Sequence, residues 1–540
     1  MSHHVYYQYL TRNGADLFTC VCLPREGGQY PTVIYRSPYE DASESLSEEE
    51  ACELKLQEFA EWLDAGYAVV SQHCRGRGKS SGDCVPYIYE REDGLQLQDW
   101  IRQQSFYNGE LFLYGHSYRA SVHFVTAPFA SDIKGAILEA TDSERYNCNY
   151  RNGFYKMGLH GGWYVKMYKK KGGLTKSYTP DSYRMLPLSS FSQTVFGERA
   201  EDFDEILRHP DRGDDFWNTR FGGGEGRDAI KHARIPILLV TGFYDIFTGG
   251  IFDMWREMDE ETRRISALAV HPFDHGCHGE KQPINFENGT LKKAFDGYRV
   301  RWMDSIRGRG VSPFTKGKVT YYKLFDGCWC CDGFYDADEI RRVSIGEGSV
   351  TYKYNPYAPA SFRGGLSANF GGNAWQDAPN SRYDIVSLYT PEFERDTFVK
   401  GRIQARLKVS SDCEDTCFYL RLSLCKEEGD YGLRDDIHQI SNFDGAYQPE
   451  TVLEMQFSFD EHAFVIKKGE RLRVDVSSSA FPHYVPHTNQ RGLFSEQTTA
   501  RVATNTVDVA GSFLELPIFN DRQTGMQSVR VSAEENGSTC

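Results

Sequence analysis

A serine between small residues, an aspartate and a group of histidines occur in this chain in the order that nucleophilic catalysis uses. Ser117 lies within Gly115-His-Ser-Tyr-Arg-Ala120, directly after the apolar run Leu111-Phe-Leu-Tyr. The pattern Gly-x-Ser-x-Gly/Ala after a buried strand predicts a sharp strand-to-helix turn that exposes the hydroxyl, because small flanking residues permit the bend. We therefore interpret Ser117 as a nucleophile, with Ala120 in the position where a second glycine is usual.

A serine nucleophile needs a base that accepts its proton and a carboxylate that orients the base. In α/β-hydrolases these groups follow the serine in the order acid, then histidine. The apolar segment 235–241 predicts a buried strand that leads into Gly242-Phe-Tyr-Asp245, so Asp245 is our candidate acid. Asp253 and Asp274 are the alternative acids, and Asp245 could instead cap a helix that starts near Phe247.

Three histidines follow the next predicted strand, residues 265–270, within His271-Pro-Phe-Asp-His275-Gly-Cys-His278. Any of the three could be the base, so the residue types alone leave the choice open. They could also ligate a metal, but Pro272 and Gly276 interrupt the helical register in which zinc-binding histidines flank a carboxylate base. We therefore expect neither a metal nor a cofactor.

Strands alternate with helices around these residues, which predicts a parallel α/β sheet. A hairpin is expected over residues 5–23, further strands over residues 31–36, 67–71 and 134–140, and helices over residues 48–63 and 90–104. The glycine-rich segment 74–82 lacks the pattern of a phosphate-binding loop, so we interpret it as a strand-helix connection. We expect an α/β-hydrolase core in two parts, residues 1–140 and 234–315, closed by a helix over residues 291–306.

The alternation stops over residues 141–233, where Phe154, Trp163, Tyr164 and Tyr168 lie near helical spacing. An insertion between two strands of such a sheet predicts a mostly helical cap that covers the nucleophile.

Short alternating strands broken by turn residues begin at about residue 316. They predict an antiparallel β-sandwich of the jelly-roll type over residues 316–530, followed by a frayed tail at 531–540. The expected strands include residues 318–324, 506–509 and 512–516.

The composition restricts the possible binding partners and the cellular location of the protein. A formal net charge of -15 and the absence of a basic run longer than Lys169-Lys-Lys171 argue against nucleic acid or an anionic membrane. No apolar window approaches the roughly 18 residues of a membrane helix, and no secretory signal precedes the first strand. We expect a soluble, cytoplasmic protein with a small-molecule ester or amide as substrate, as a monomer or a homo-oligomer.

The 14 cysteines are scattered, and without a secretory signal we expect reduced thiols. The cluster Cys328-Trp-Cys-Cys331 could bind a metal. Its spacing lacks the two-residue gap of zinc knuckles and no second pair lies nearby, so we favour free thiols.

Several motifs resemble those of the cocaine esterase and Xaa-Pro dipeptidyl-peptidase group of α/β-hydrolases, also called CocE/NonD hydrolases, over nearly the whole chain. Arg36-Ser-Pro-Tyr39 resembles the group's R-x-P-Y, residues 73–82 its D-x-R-G-x-G-x-S-x-G, and Gly115 to Ala120 its G-x-S-Y-x-G. Phe243-Tyr-Asp245 matches its acid motif. His271-Pro-Phe-Asp-His275 resembles its G-P-W-x-H, which selects His275 as the base. Gly364-Gly365, Arg382-Tyr-Asp384 and Ser478-Ser-Ala-Phe-Pro482 resemble landmarks of its jelly roll.

The resemblance implies a serine hydrolase with a helical cap and a jelly roll that helps to wall the pocket. It also implies an oxyanion hole made by the Tyr39 hydroxyl and the backbone N–H of Tyr118. The sequence departs from the group's motifs at His73, Ala120 and His271, which replace Asp, Gly and Gly.

Our interpretation is an acyl-transfer hydrolase in which Ser117 attacks, His275 moves the proton and Asp245 orients His275. The alternatives are a carboxylesterase, an Xaa-Pro dipeptidyl-peptidase, and an α-amino acid ester hydrolase or acylase. The last two recognise a free substrate amine, for which Asp142, Glu144 and Asp181 of the cap are candidate partners. The aromatic residues of the cap favour a bulky acyl group. A rival of another class is a non-catalytic protein whose jelly roll binds carbohydrate.

Overall fold

The computed structural model describes residues 3–39, 45–127, 131–168, 180–219, 228–277, 283–284, 286, 294–365 and 373–520. Its first sheet contains β1 (His4–Arg12), β2 (Ala15–Leu23), β3 (Tyr30–Ser37), β4 (Ala68–His73), β5 (Tyr107–His116) and β6 (Ile133–Glu139). After a small ribbon made of β7 (Tyr150–Arg151) and β8 (Phe154–Tyr155), it continues with β9 (Ile237–Tyr244), β10 (Ala267–Asp274), β11 (Val319–Lys323) and β12 (Cys328–Asp332).

The helices that pack beside the first sheet or form the cap are short. They are α1 (Glu48–Glu58), α2 (Ala60–Asp64), α3 (Glu90–Arg102), α4 (Tyr118–Phe124), α5 (Arg145–Asn149), α6 (Gly162–Met167), α7 (Glu201–Arg208), α8 (Ala229–His232), α9 (Thr248–Glu257), α10 (Glu260–Ile265) and α11 (Tyr298–Ile306).

The first sheet has the strand order β1-β2-β4-β3-β5-β6-β9-β10-β11-β12. The neighbours from β4 through β11 are parallel, whereas the outer pairs β1/β2, β2/β4 and β11/β12 are antiparallel. Every residue of β4 and β9 is buried, as expected for parallel strands covered by helices on both faces. The predicted α/β-hydrolase core and the hairpin at its start are confirmed.

The cap between β6 and β9 is mostly helical over its described residues, as expected, but its helices are short and irregular. Among the described residues its longest helix is α7, and the helices α5, α6 and α8 have four to six residues each. The other segments are π-helical or 3₁₀ turns such as Met157–Gly161 and Pro180–Arg184, together with the β7/β8 ribbon. A dense aromatic cluster that includes Tyr155, Tyr164 and Phe203 replaces long helices as its core. Aromatic side chains bury enough apolar area to hold such irregular segments together.

The C-terminal part is an antiparallel sandwich, so the predicted jelly-roll class is confirmed. One sheet is built on β23 (Ala503–Phe519), which pairs with β13 (Glu339–Ser344), β14 (Ser349–Tyr354), β16 (Thr397–Gly401) and β17 (Gln404–Ser411), with β20 (Leu453–Ser458) and β21 (His462–Ile466) outside them. The other sheet has the order β15 (Val386–Tyr389), β22 (Arg471–Ser477), β18 (Cys417–Lys426) and β19 (Gly429–Gln439).

Two expectations for this part are wrong in detail. Residues 318–324, expected in the sandwich, form β11 in the first sheet, parallel to β10, and β12 extends that sheet; the sandwich therefore begins at β13 rather than at residue 316. Alternating polarity identifies a strand but does not say which sheet it joins. Residues 506–509 and 512–516 belong to the single strand β23, because the Gly511 region lies opposite a register shift in β17 instead of ending the strand.

The described residues cover only part of the last helix expected in the first domain and none of the expected C-terminal tail. The helix expected over residues 291–306 is α11, which begins at Tyr298, while residues 291–293 lie outside the described part. The expected tail at 531–540 also lies outside it. Among the residues that the structure describes, no helix is long and apolar enough to cross a membrane.

Buried histidines make the fold sensitive to acid. Burial lowers the pKa of His123 to about 3 and that of His271 to about 4. In the unfolded chain a histidine titrates at about 6.5, so below that pH the unfolded state binds protons that the folded state does not. As the pH falls from 6.5 to the pKa of the folded state, each such histidine lowers the free energy of unfolding by about 1.4 kcal/mol per pH unit.

We therefore expect the melting temperature to fall as the pH is lowered from 7.5 to 5.5, and His123→Gln to reduce that fall. The exposed His232, changed to Gln, is the matched control and should leave the fall unchanged. Melting monitored by circular dichroism at several pH values measures the effect. An identical pH dependence in His123→Gln and the native protein would contradict the assignment.

Candidate active site

Ser117 occupies a strained turn between β5 and α4. Its backbone has φ 59° and ψ -135°, a conformation that non-glycine residues rarely adopt. The turn is held by the Ser117 N–H, which donates to the Glu139 carbonyl at 2.8 Å. A Cβ on Gly115 would lie 2.2 Å from the Arg119 carbonyl oxygen, so only glycine fits there. The strain points the hydroxyl away from the end of the sheet, as the sequence pattern predicts.

Asp245 and His275 meet Ser117 at the carboxyl ends of the strands. His275 Nε2 lies 2.9 Å from Ser117 Oγ, and His275 Nδ1 lies 3.1 Å from Asp245 Oδ1. With the imidazole neutral, Nδ1–H donates to the carboxylate and Nε2 accepts from the serine hydroxyl. This arrangement can remove the serine proton while the carboxylate holds the ring.

The environment of Asp245 keeps it ionised. The side chain is 1% exposed, and burial alone would raise its pKa. The charge of His275, its hydrogen bond, and the Phe247 N–H that donates at 2.7 Å outweigh burial and lower the pKa. Asp245 is therefore a buried anion beside the imidazole, which stabilises the imidazolium that forms when the serine is deprotonated.

The other two candidate bases do not compete with His275 in the described structure. The Phe273 N–H donates to His271 Nδ1 at 3.2 Å, and His271 Nε2 lies 3.3 Å from the Cys277 sulfur. Neither ring nitrogen of His271 therefore faces Ser117. His278 lies outside the described residues.

The alternative acids also have other contacts. Asp253 forms ion pairs with Arg256 and Arg402. Asp274 accepts the Gly276 N–H at 3.2 Å. Only Asp245, among these three aspartates, is hydrogen-bonded to His275.

Two possible hydrogen-bond donors, the Tyr39 hydroxyl and the backbone N–H of Tyr118, lie near the Ser117 hydroxyl. The Tyr39 hydroxyl lies 3.2 Å from Ser117 Oγ. The backbone N–H of Tyr118 and the side chain of Trp163 lie close enough to this phenol to oppose the rise in its pKa. Burial raises the pKa of Tyr39, so its phenol stays protonated. The guanidinium of Arg119 lies 4.8 Å from the centre of the Tyr39 ring and fixes its position. An oxyanion formed at Ser117 would meet these donors.

Glu90 supports this donor pair, and sequence reasoning missed it. The Tyr118 hydroxyl donates to Glu90 Oε1 in a short hydrogen bond, and the Tyr87 N–H donates to the Tyr118 oxygen at 2.7 Å. Both partners are buried, which anchors the ring whose own backbone N–H lies beside Ser117. Glu90 is the first residue of α3. An acidic residue at a helix N-terminus usually lies in solvent and interacts favourably with the helix dipole. The sequence therefore does not indicate its buried contact with Tyr118, which is seen only in the folded protein.

Aromatic and apolar side chains border the reacting groups. Phe247 packs edge-on against His275, with ring centres 5.5 Å apart, and belongs to a small cluster with Cys148, Ile246 and Leu159. Of the four cap aromatics that the sequence singled out, Trp163 packs on Tyr118. The others lie elsewhere: Tyr164 is in the cap core, Tyr168 stacks on Phe196, and Phe154 packs on the sandwich.

The three cap carboxylates have different surroundings. Asp181 is exposed and pairs with Arg184, and Glu144 pairs with Arg212 at 2.8 Å. Asp142 is buried, and burial raises its pKa to about 8, so it is mostly uncharged at neutral pH.

Comparison with known proteins places this geometry in context. The model of the X-Pro dipeptidyl-peptidase S15 family matches residues 13–277, and that of the X-Pro dipeptidyl-peptidase C-terminal non-catalytic domain matches residues 346–513. Cocaine esterase from Rhodococcus sp. strain MB1 Bresler is 24% identical over 91% of this chain and 93% of its own.

Solved structures share the fold over nearly the whole chain. An α-amino acid ester hydrolase and an aminopeptidase from a marine sediment Thaumarchaeota archaeon each give a TM-score of 0.79 at 17% identity, covering 96% of both chains. A CocE/NonD family hydrolase from Staphylococcus aureus gives a TM-score of 0.63 at 14% identity, covering 95% of this chain and 93% of its own.

The contact between Glu90 and Tyr118 generates a test. Glu90→Leu leaves the buried Tyr118 hydroxyl without its acceptor, so Tyr118 and its backbone N–H should shift. We expect kcat for an activated ester to fall by about tenfold or more with KM little changed, because the affected donor acts mainly on the transition state.

Glu90→Gln keeps an acceptor oxygen at the same position and is the matched control. It should restore most of kcat, whereas a merely structural role would lower the melting temperature without this difference in kcat. Equal kcat values for the native protein and Glu90→Leu would contradict the positioning role.

Proposed function

The chain belongs to the cocaine esterase and Xaa-Pro dipeptidyl-peptidase group of serine hydrolases, and we propose that Ser117, His275 and Asp245 are its catalytic triad. The observation that carries the proposal is the continuous path of contacts from Asp245 through His275 and Ser117 to Tyr39, with steps of 3.1, 2.9 and 3.2 Å. Each step matches the distance that proton transfer or oxyanion stabilisation requires.

The reaction then follows from the geometry. Ser117 Oγ attacks the substrate carbonyl while its proton passes to His275 Nε2, and Asp245 stabilises the imidazolium. The negative charge that develops on the carbonyl oxygen is held by the Tyr39 hydroxyl and the Tyr118 N–H. His275 returns the proton to the leaving alcohol or amine, which leaves an acyl-serine. A water molecule, deprotonated by the same histidine, hydrolyses this intermediate.

The substrate is a carboxylic ester or an amide, and we propose that esters are preferred. Two of the similar proteins, cocaine esterase and the α-amino acid ester hydrolase, carry ester hydrolysis in their names. An Xaa-Pro dipeptidyl-peptidase or an α-amino acid ester hydrolase would need an anion for the substrate amine. Glu144 is already paired and Asp142 is mostly uncharged, so recognition of a free amine is the weaker alternative.

The binding partners, the oligomeric state and the cellular location are also proposals. We propose a small-molecule substrate, no nucleic-acid or membrane partner, and a monomer or homo-oligomer in the cytoplasm. The acidic net charge of -15 and the free thiols, which include the buried neighbours Cys20 and Cys22, favour this setting.

Replacement of the nucleophile gives the first test. Ser117→Ala should reduce hydrolysis of a 4-nitrophenyl ester by more than a thousandfold and should abolish labelling by a fluorophosphonate, because it removes the hydroxyl that contacts His275 Nε2. Ser121→Ala, four residues along α4, is the control and should keep both properties, since its hydroxyl contacts Thr141 instead. Retention of a tenth of the rate in Ser117→Ala would refute the triad.

Replacement of Tyr39 tests the oxyanion donor. Tyr39→Phe keeps the ring and its contact with Arg119 but removes the hydroxyl, so kcat should fall by about 10²–10³-fold with KM little changed. The exposed Tyr383, changed to Phe, is the control and should retain native kinetics. Steady-state kinetics with a 4-nitrophenyl ester provide the measurement. An unchanged kcat in Tyr39→Phe would remove its hydroxyl from the mechanism.

A further inference from the structure

A cavity of about 810 Å³ lies where the cap, the first sheet's domain and the sandwich meet. Its wall contains polar and charged side chains from all three parts, among them Asp142, Arg151, Lys156, Arg212, Arg402 and Asp460. Two adjacent residues link this cavity to the candidate triad through their contacts. Ile246 lines the cavity, and the adjacent Phe247 packs on the His275 ring.

The arginines of this cavity are already neutralised by carboxylates. Arg151 contacts Asp436 at 2.8 Å and Asp460 at 2.7 Å, and its remaining nitrogen donates to a backbone carbonyl. Arg212 pairs with Glu144 at 2.8 Å, and Arg402 pairs with Asp253 and Glu461.

Lys156, unlike these arginines, forms no ion pair with a described residue. Its ammonium donates to the Asn147 carbonyl at 2.5 Å, and no carboxylate of the described residues lies within 4 Å of it. Burial, followed by the charge of Arg151, lowers the pKa of Lys156, and the charges of Asp460 and Asp142 oppose this shift only in part. An ammonium has three donors, and only one is used by Asn147.

Asp142 and Asp460, the two carboxylates whose charges act on Lys156, form no ion pair with it. Burial raises the pKa of Asp142 to about 8, which leaves it mostly uncharged and able to donate a hydrogen bond. Asp460 is ionised, because the charges of Arg151, Arg402 and Arg434 outweigh burial and lower its pKa. Its charge is therefore shared among three guanidinium groups.

We propose that Lys156 binds a carboxylate carried by the substrate, so that the enzyme prefers esters or amides with a negative group separated from the scissile carbonyl by an apolar spacer. The spacer would lie against the apolar cluster of Cys148, Leu159, Ile246 and Phe247, in which Ile246 lines the cavity and Phe247 packs on the His275 ring. A substrate ammonium in the same place would be repelled by Lys156. This inference rests on the proposed function of Ser117.

The kinetic test compares substrates that differ only in charge. The mono-4-nitrophenyl ester of octanedioic acid carries the carboxylate, and its methyl ester is the neutral match. We expect the native enzyme to favour the charged ester in kcat/KM by about tenfold to a hundredfold, the range of one charge-assisted hydrogen bond. A third substrate, 4-(octanoyloxy)benzoate, carries the carboxylate on the leaving group and shows on which side of the scissile bond Lys156 acts.

Substitution of Lys156 decides whether this residue is responsible. Lys156→Met should abolish the preference for charged esters, and Lys156→Arg should keep most of it. The exposed Lys353, changed to Met, lines no part of this cavity and should leave the preference at its native value. Melting temperatures identify a variant that fails to fold, in which case Lys156→Gln replaces Lys156→Met. A preference that survives in a folded Lys156→Met or Lys156→Gln protein, or is absent from the native enzyme for both placements of the carboxylate, overturns the proposal.

A binding measurement separates this proposal from the proposed triad. Calorimetry with Ser117→Ala protein should show monomethyl octanedioate binding at least tenfold more tightly than dimethyl octanedioate, and addition of Lys156→Met should remove the difference. Because binding needs no turnover, it tests Lys156 even if no ester is hydrolysed. Equal binding of both ligands contradicts the carboxylate site, whereas loss of turnover alone contradicts the proposed function.

Discussion

The hydrogen bond between Ser117 and His275 joins residues that are 158 positions apart, and the fold must bring them within 2.9 Å. Two strands separate β5 from β10, so at about 4.8 Å per strand their ends lie about 14 Å apart. β10 has a register shift between His271 and Asp274, directly before His275. At the end of β5, Ser117 has a strained backbone with φ 59°. The contact therefore forms between irregular segments that follow the two strands, and not between the strands themselves.

The parts that the sequence predicts are those in which local residues determine local geometry. Gly115 and Ala120 specify the turn at Ser117, because a larger residue at position 115 would collide with the backbone. Asp245 and His275 were placed after apolar segments, and parallel strands bring such positions to one edge of a sheet. The selection of His275 over His271 came from a resemblance, and the structure gives its physical basis: His271 is buried and its ring nitrogens are engaged.

The parts that the sequence does not predict depend on contacts between distant segments. Glu90 looks like a solvated helix residue, yet it is buried against Tyr118. Residues 319–323 have the polarity of a sandwich strand, yet they extend the first sheet, since pairing depends on which strand edge is free. The cap is mostly helical over its described residues, as its aromatic spacing indicates, but its core is a cluster of aromatic side chains from several short segments and not the face of one helix. In each case the structure depends on a contact with a residue that is distant in the sequence, and a local sequence pattern does not predict such a contact.

Charge compensation explains how such an irregular cap keeps a defined position over the site. Arg151 projects from the β7/β8 ribbon into the sandwich, where Asp436 and Asp460 match its guanidinium. Asp460 also lies against α9, where a Cβ on Gly249 would meet it at 2.8 Å. Burying these charges is costly unless every partner is present, so a displaced cap would leave several of them unpaired. Charge compensation also defines the cavity around Lys156. Its arginines are paired with carboxylates, so among the described residues that line it the Lys156 ammonium is the cation without an ion-pair partner.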